Sequence, residues 1–405
     1  MKILLINNYH YARGGADTVY LNTGKLLKNN GNEVIYFSTT DEQNQKEGQN
    51  IFFIAPFNTG LTHLPRFFYS QKAFLNLKSL ISKERPDVAH VHIFYGQLTN
   101  AVIKALKDNN IPIVMTIHDY RILCPINIML NNNEKICEKC AGGKYYNSAL
   151  YKCNKSNFLF STVSAMESYF RDIFFDYKKN IDHFIMVSEF IKNKHVEYYP
   201  SLKEKSSTLY NFKDFEDRKL NTEKNGNLLY FGRLSKEKGI MTLLKALRLL
   251  PNITLKIVGT GPMENEIKDF LSKNKMHNIK LLGYCKGDVL WSNIEKSNFS
   301  VIPSEWYENN PMTVIESLQL GTPVIGAKIG GIPEIVRSEH GFIFNSGSVE
   351  DLKNTIERAF ALNIEDYKQM QLNGINFAQT KFAAKSHYST LMGIYKKTIN
   401  SYNKN

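Results

Sequence analysis

Residues 301–325 read VIPSEWYENNPMTVIESLQLGTPVI. Val301 and Ile302 close a short apolar run, FSVIP, with the length of a buried strand. A polar loop follows. Pro311 then stands where a helix can begin, because its missing N–H is harmless at the first helical position. The pattern carries a helix through Val314, Ile315 and Leu318 and stops it at Gly321, before a second apolar strand at Pro323–Ile325. A strand, a loop and a helix followed by another strand is the unit of a parallel sheet. Glu308 and Glu316, with seven residues between them, frame the loop and the helix. Unpaired N–H groups at such a helix start favour an anion, and a pyrophosphate fits there. Glu316, further along, is placed to accept hydrogen bonds from a ribose diol. Taken alone, the pair reads more readily as two solvated helix-end charges, and the surrounding motifs shift the balance.

Working outward, the same alternation fills the chain. Ile3–Ile6, Val34–Phe37, Ile51–Ile54, Val88–Ile93 and Ile113–Ile117 read as strands, with helical patterns over Asp17–Asn29 and Leu98–Asn109. After residue 210 the pattern restarts with Leu228–Phe231, Thr254–Val258, Ile279–Leu281, Phe299–Ile302 and Pro323–Ile325. Helices are expected between them at Met241–Leu249 and Met263–Ser272. At 405 residues, two domains are expected. The fold class is α/β: two Rossmann-like, doubly wound domains facing across a cleft, with ligands at the carboxyl ends of the strands. The divisions are 1–210, with a cysteine-containing insert at 120–160, then 211–380, then a C-terminal helical segment at 381–405.

Other motifs fall at expected strand ends. Gly14-Gly15 follows the first strand and precedes a helix, which suits close approach by phosphate. It lacks the G-x-G-x-x-G spacing of a nicotinamide site. His118 closes the strand IVMTIHDY. Arg233 and Lys238 lie in FGRLSKEKG, where cations can pair with phosphate oxygens. Gly259 in IVGTGP and Gly330-Gly331 in GGIPE add two further strand-end turns, each compatible with an ordinary loop.

In this order the motifs resemble the retaining nucleotide-sugar glycosyltransferases of family 4, which have the GT-B fold. The residues that carry the resemblance are Gly14-Gly15, His118, Arg233, Lys238, Gly259, the Glu308/Glu316 pair and Gly330-Gly331. The resemblance implies that Arg233 and Lys238 stabilise the donor diphosphate as it leaves. It implies that Gly15 backbone approaches the same phosphates and that Glu316 holds the ribose. Glu308 and His118 would contact the donor sugar. The amides around Asn310, Pro311, Met312 and Thr313 would cradle sugar and phosphate, with the nucleobase near Gly283-Tyr284-Cys285. The anomeric configuration would be retained, and no metal or other cofactor would be needed for catalysis. The same resemblance implies a UDP- or GDP-sugar donor and a glycan or lipid-linked acceptor, as in bacterial polysaccharide synthesis. It also implies a last helix that crosses back to the first domain. A non-catalytic nucleotide- or carbohydrate-binding protein on the same scaffold is the alternative.

Composition narrows the classes. An apolar content of 43% and a charged content of 22% are those of a globular protein. There is no run long enough to span a membrane, and MKILLINN reads as a first strand rather than a signal peptide, so a cytoplasmic chain is expected. The net charge of +13 suits phosphorylated substrates or an anionic membrane surface. Nucleic acid is disfavoured, since no recognition motif or basic stripe is present. The aromatic, basic stretches Leu64–Ile81, read as a helix, and Phe170–Lys179 suggest peripheral contact with the inner membrane face. Cys124, Cys137, Cys140 and Cys153 are spaced x12, x2, x12. That spacing leaves a closed structural zinc site and free thiols both open. Cys285 is expected in the core or the base pocket.

Overall fold

The structure is a computed structural model, and it describes residues 1–46, 51–54, 64–214 and 226–404. It divides into two compact units, Met1–Asn211 with His387–Asn405, and Phe212–Ser386.

The first unit is built on seven strands: β1 (Lys2–Ile6), β2 (Glu33–Thr39), β3 (Ile51–Ile54), β4 (Val88–Val91), β5 (Ile113–Ile117), β6 (His183–Met186) and β7 (Ser206–Thr208). Their order is β3-β2-β1-β4-β5-β6-β7, and every pairing is parallel. β1 is the switch point, because its neighbours β2 and β4 lead off in opposite directions. The apolar run Ile3–Ile6 is wholly buried, as a strand covered on both faces requires. Leu391, Ile394 and Tyr395 of helix Ala384–Tyr402 pack into the same cluster as Ile3, Leu5, Val34 and Val88.

The second unit holds β8 (Asn227–Phe231), β9 (Thr254–Val258), β10 (Ile279–Gly283), β11 (Phe299–Ile302), β12 (Val324–Ala327) and β13 (Gly341–Phe344). The order β10-β9-β8-β11-β12-β13 repeats the same doubly wound plan, again all parallel. Here β8 is the switch point, with β9 on one side and β11 on the other. The helix after β11, Met312–Gln319, buries Val314, Ile315 and Leu318 completely. At about 1.5–3 kcal/mol per side chain, this anchoring stabilises the helix start in place.

Several expected elements differ. Pro311 caps the helix rather than opening it, with φ −66° and ψ 120°. Leu64–Ile81 is broken into Leu64–Phe68 and Gln71–Glu84, because Ser70 accepts a hydrogen bond from the Ala73 amide and starts a new helix. Phe170–Lys179 is likewise the end of helix Phe158–Phe174 followed by a separate turn, Tyr177–Asn180, capped by Asp176. The C-terminal segment holds one helix, Ala384–Tyr402, as expected, and a separate helix, Ile364–Lys381, precedes it. β6, β7 and β13 were not anticipated: the first and last are four residues long, and β7, Ser-Ser-Thr, carries no apolar signal.

Candidate active site

In the second unit, the loops after β8 and β11 carry the expected charged residues. The turn after β8 is zipped to the turn after β9 by backbone bonds, Gly232 N to Val258 O at 3.0 Å and Leu234 N to Thr260 O at 3.0 Å. Gly259 makes this approach possible: at φ +138°, a Cβ there would lie 1.9 Å from Gly232 O. Arg233 is held in this turn by the bond from Tyr230 Oη to its carbonyl oxygen, 2.7 Å, and its side chain is exposed. Lys238 ends the following short turn, Lys236–Lys238.

The Lys238 ammonium meets the carboxylate of Glu308 at 2.6 Å and stands over the Trp306 ring, 4.8 Å from its centre. Ser304 Oγ donates to the same Glu308 oxygen at 2.7 Å. Burial alone would push the Glu308 carboxyl up, but the Lys238 charge and the hydrogen bonds from Lys238 and Ser304 outweigh it and hold it below its ordinary range. Glu308 is therefore a buried anion kept ionised by an adjacent cation. Its backbone is also fixed: Gly331 N donates to Glu308 O at 2.7 Å. Gly330 sits at φ +58°, where a Cβ would fall 2.2 Å from that oxygen. The GGIPE turn thus seats the backbone of Glu308.

Glu316 lies on helix Met312–Gln319 and pairs with Lys213 at 2.7 Å. Lys213 also stands 3.6 Å from the centre of the Trp291 ring. Lys213 was not singled out in the sequence: it stands 103 residues from Glu316, in NFKDF, with no motif around it. The start of the Met312–Gln319 helix has no side-chain cap. Asn310 is buried just before it, Pro311 is the cap residue, and Met312 and Thr313 open the helix. Tyr284, by contrast, is 72% exposed beyond β10. Cys285 is half-buried and packs against the cluster of Leu229, Phe231, Val258 and Ile294.

In the first unit, the loops after β1, β4 and β5 converge. Gly14 caps helix Gly15–Asn29 without a side-chain bond. Asn7 Nδ2 donates to Asp17 Oδ1 at 2.8 Å, while Asn7 Oδ1 accepts from Ile93 N at 3.0 Å. His118 follows β5, half-buried, with its Nε2 2.9 Å from His92 Nδ1 and its ring stacked on that of His92 at 5.2 Å. Burial pushes the His118 imidazole down to about 3, and burial with neighbouring His118 lowers His90 to about 3 as well. His118 is therefore neutral at ordinary pH. Asp119 accepts from Tyr95 Oη at 2.9 Å and Asn127 Nδ2 at 3.0 Å. Its carboxyl is raised by burial despite those bonds.

None of the four cysteines of the insert is in a disulfide; Cys124 and Cys140 are buried, and Cys137 and Cys153 are half-buried. Burial raises the Cys140 thiol, and repulsion from Cys124, Cys153 and Cys137 adds to it. As arranged, no three His, Cys, Asp or Glu side chains among the described residues form a group able to hold a metal ion.

Comparison with known proteins accounts for both halves. The sequence model "Glycosyltransferase Family 4" matches residues 13–217, and "Glycosyl transferases group 1" matches residues 212–377. The uncharacterized glycosyltransferase MJ1178 of Methanocaldococcus jannaschii is 27% identical, over 98% of this chain and 97% of its own. A 42.6 kDa uncharacterized protein in the cps region of Klebsiella pneumoniae is 24% identical, over 92% of this chain and 96% of its own. The crystal structure of Anabaena HepE in complex with UDP superposes with a TM-score of 0.69 at 16% identity, covering 98% of this chain and all of the other. The chain belongs to glycosyltransferase family 4. Its fold is the GT-B type of that class, with two Rossmann-like domains of seven and six parallel strands.

Proposed function

We propose that the chain is a retaining glycosyltransferase, using a UDP- or GDP-linked sugar and a glycan or lipid-linked acceptor of a bacterial surface polysaccharide. The observation that carries this reading is the Lys238–Glu308 pair, 2.6 Å apart, at the switch point of the second sheet and next in sequence to an uncapped helix start. Ligands of such sheets bind outside the carboxyl ends of the strands at that point. The UDP carried by the Anabaena neighbour and the cps region of the Klebsiella relative favour the donor and the pathway class.

In this reading the acceptor oxygen bonds to the anomeric carbon as its bond to the diphosphate breaks, on the same face. The acceptor proton passes to the leaving phosphate oxygen, so no separate protein nucleophile is required. Arg233, Lys238 and the amides of Met312 and Thr313 stabilise the charge that develops on the diphosphate, worth roughly 10²–10³ in rate per well-placed donor. Glu308 fixes the Lys238 ammonium. Glu316 receives the ribose diol and Gly15 backbone approaches the phosphates. His118, neutral, accepts or donates to a sugar hydroxyl. This charge comes from the chain itself, so activity should survive chelation by EDTA. We also propose a cytoplasmic enzyme in peripheral contact with the inner membrane face; among the described residues, no helix is long and apolar enough to cross a membrane.

A structural zinc on Cys124, Cys137, Cys140 and Cys153 is retained as a proposal on the x12, x2, x12 spacing alone. Metal analysis of the purified chain decides it, and fewer than about one zinc per two chains would refute it. The transferase reading is tested by incubating the protein with UDP- and GDP-sugars and candidate acceptors. The anomeric configuration of the product is read by NMR. Inverted product, or no turnover of any donor, would overturn it.

A further inference from the structure

Helix Phe158–Phe174 in the first unit is inside out. Its buried residues are Ser161, Ser164, Ala165, Glu167, Ser168 and Arg171. Leu159, Met166 and Ile173, spaced by two turns along one stripe, are 59%, 55% and 71% exposed. Phe158 and Phe174 extend the stripe at its ends, both more than half exposed. An amphipathic helix in water ordinarily does the reverse.

The sequence of the insert explains the inversion. Arg171 donates to Arg121 O at 2.7 Å and to Tyr145 Oη at 2.8 Å, and pairs with Asp172 at 2.8 Å. Glu167 pairs with Arg121 and accepts from Asn100 Nδ2 at 3.2 Å. Ser161 Oγ accepts from Asn154 N at 2.9 Å, and Ser164 Oγ from Asn154 Nδ2 at 2.9 Å. The polar face is thus occupied in holding the cysteine-containing insert, and the apolar face is turned outward. Exposed apolar stripes of this extent mark an interaction surface.

We infer that this stripe docks the protein on an anionic lipid surface. The inference rests on the proposed peripheral membrane contact and gives it an address. Charge selects the occupant. Residues 139–166 contain Lys139, Lys144, Lys152 and Lys155 and no Asp or Glu, and all four lysines are exposed. Lys155 lies over the Phe160 ring at 5.3 Å, a charged head beside an exposed aromatic. Leu150, between Lys144 and Lys152 in sequence, is also 66% exposed. Apolar side chains beside a stretch that is basic from Lys139 to Lys155 fit the headgroup boundary of an anionic bilayer. A second copy of the chain would set the same lysine rim against itself, which like-charge repulsion disfavours.

The test is co-sedimentation of the full-length protein with phosphatidylcholine vesicles, with and without 30% phosphatidylglycerol, at low and high salt. The wild type should bind the anionic vesicles at low salt and be released by high salt. Leu159→Gln/Met166→Gln/Ile173→Gln should reduce binding at least tenfold with an unchanged unfolding midpoint, since all three side chains already face solvent. Lys152→Glu/Lys155→Glu should reduce it by about fivefold or more per lysine. Equal binding by the triple variant, or none by the wild type, would overturn the inference. So would a dimer in light scattering that the triple variant disperses without any vesicle binding, since the face would then belong to a second copy. Donor-induced thermal stabilisation, measured on the same variants, should be unchanged. If the wild type shows no such stabilisation, the transferase reading has failed and the surface is judged by the vesicles alone.

Discussion

At the switch point of the first sheet, the strand ends carry Asn7, His92 and His118. At the switch point of the second they carry Lys238, Ser304 and Glu308. Burial acts on both with opposite results. Around the first switch point it drives the titratable groups toward their uncharged forms: His90 and His118 go down to about 3, His92 goes well down, and Asp17 and Asp119 go up. In the second, Glu308 is just as enclosed but is held in its charged form by Lys238. A neutral hydrogen-bonding floor suits hydroxyl-rich ligands, whereas a preset ion pair beside a helix start suits a diphosphate. The difference teaches that one sheet plan can hold two electrostatically different strand-end sites, a neutral one and an ion-paired one.

The strongest way to break this contrast is Lys238→Ala. Turnover should fall about 10²–10³-fold. The buried Glu308 carboxylate, left without its cation, should also destabilise the chain by ~3 kcal/mol. Adding Glu308→Gln should restore stability without restoring turnover; recovery of activity in the double variant would reduce the pair to a structural role.

Acid should separate the units next. His10, His90, His118, His183, His195 and His387 all lie in the first unit, and burial lowers each of them to about 3 or 4. A depressed histidine contributes stability that is complete above about pH 6.5 and is lost as pH falls toward its folded value, because the unfolded chain then binds more protons. Asp17 and Asp119, raised, act in the other direction at lower pH and offset part of the loss. Between pH 7 and pH 5 the calorimetric midpoint of the first unit should drop by on the order of 5 °C or more, and the second unit should move less. Equal shifts in both would remove the contrast.

Gly330→Ala probes the seat of Glu308 through its backbone. With φ at +58° and Glu308 O in the way, the substitution should cost ~2 kcal/mol and weaken donor binding. An unchanged midpoint and donor affinity would show that the turn does not position Glu308. The smallest expected effect is that of Lys213→Ala. It should raise the donor Kd about fivefold, with kcat nearly unchanged, because Lys213 orients Glu316 without touching the diphosphate. A fall in kcat alone would place Lys213 in the chemistry instead.

Much of this was legible in the sequence because parallel strands buried on both faces leave apolar runs, as at Ile3–Ile6 and Phe299–Ile302. The glycines at 259 and 330 were legible for a related reason, since no side chain fits where two loops touch. What escaped is local or long-range in character. β7 carries only Ser and Thr, so periodicity is silent there. The break at Ser70 depends on a single cap. Lys213 meets Glu316 across 103 residues, and no local pattern encodes that pairing. Which face of helix Phe158–Phe174 is buried also escapes the sequence, because it depends on the distant partners of Glu167 and Arg171.

The most direct test of the central claim is titration of the full-length protein with UDP and GDP, following thermal unfolding, for wild type and Lys238→Ala. A ligand that binds only the folded state raises its stability with the logarithm of concentration over Kd. One of the two nucleotides should raise the wild-type midpoint, and the shift should shrink sharply in Lys238→Ala. No shift with either nucleotide, or equal shifts in the two proteins, would contradict the assignment of the diphosphate to the switch point of the second sheet.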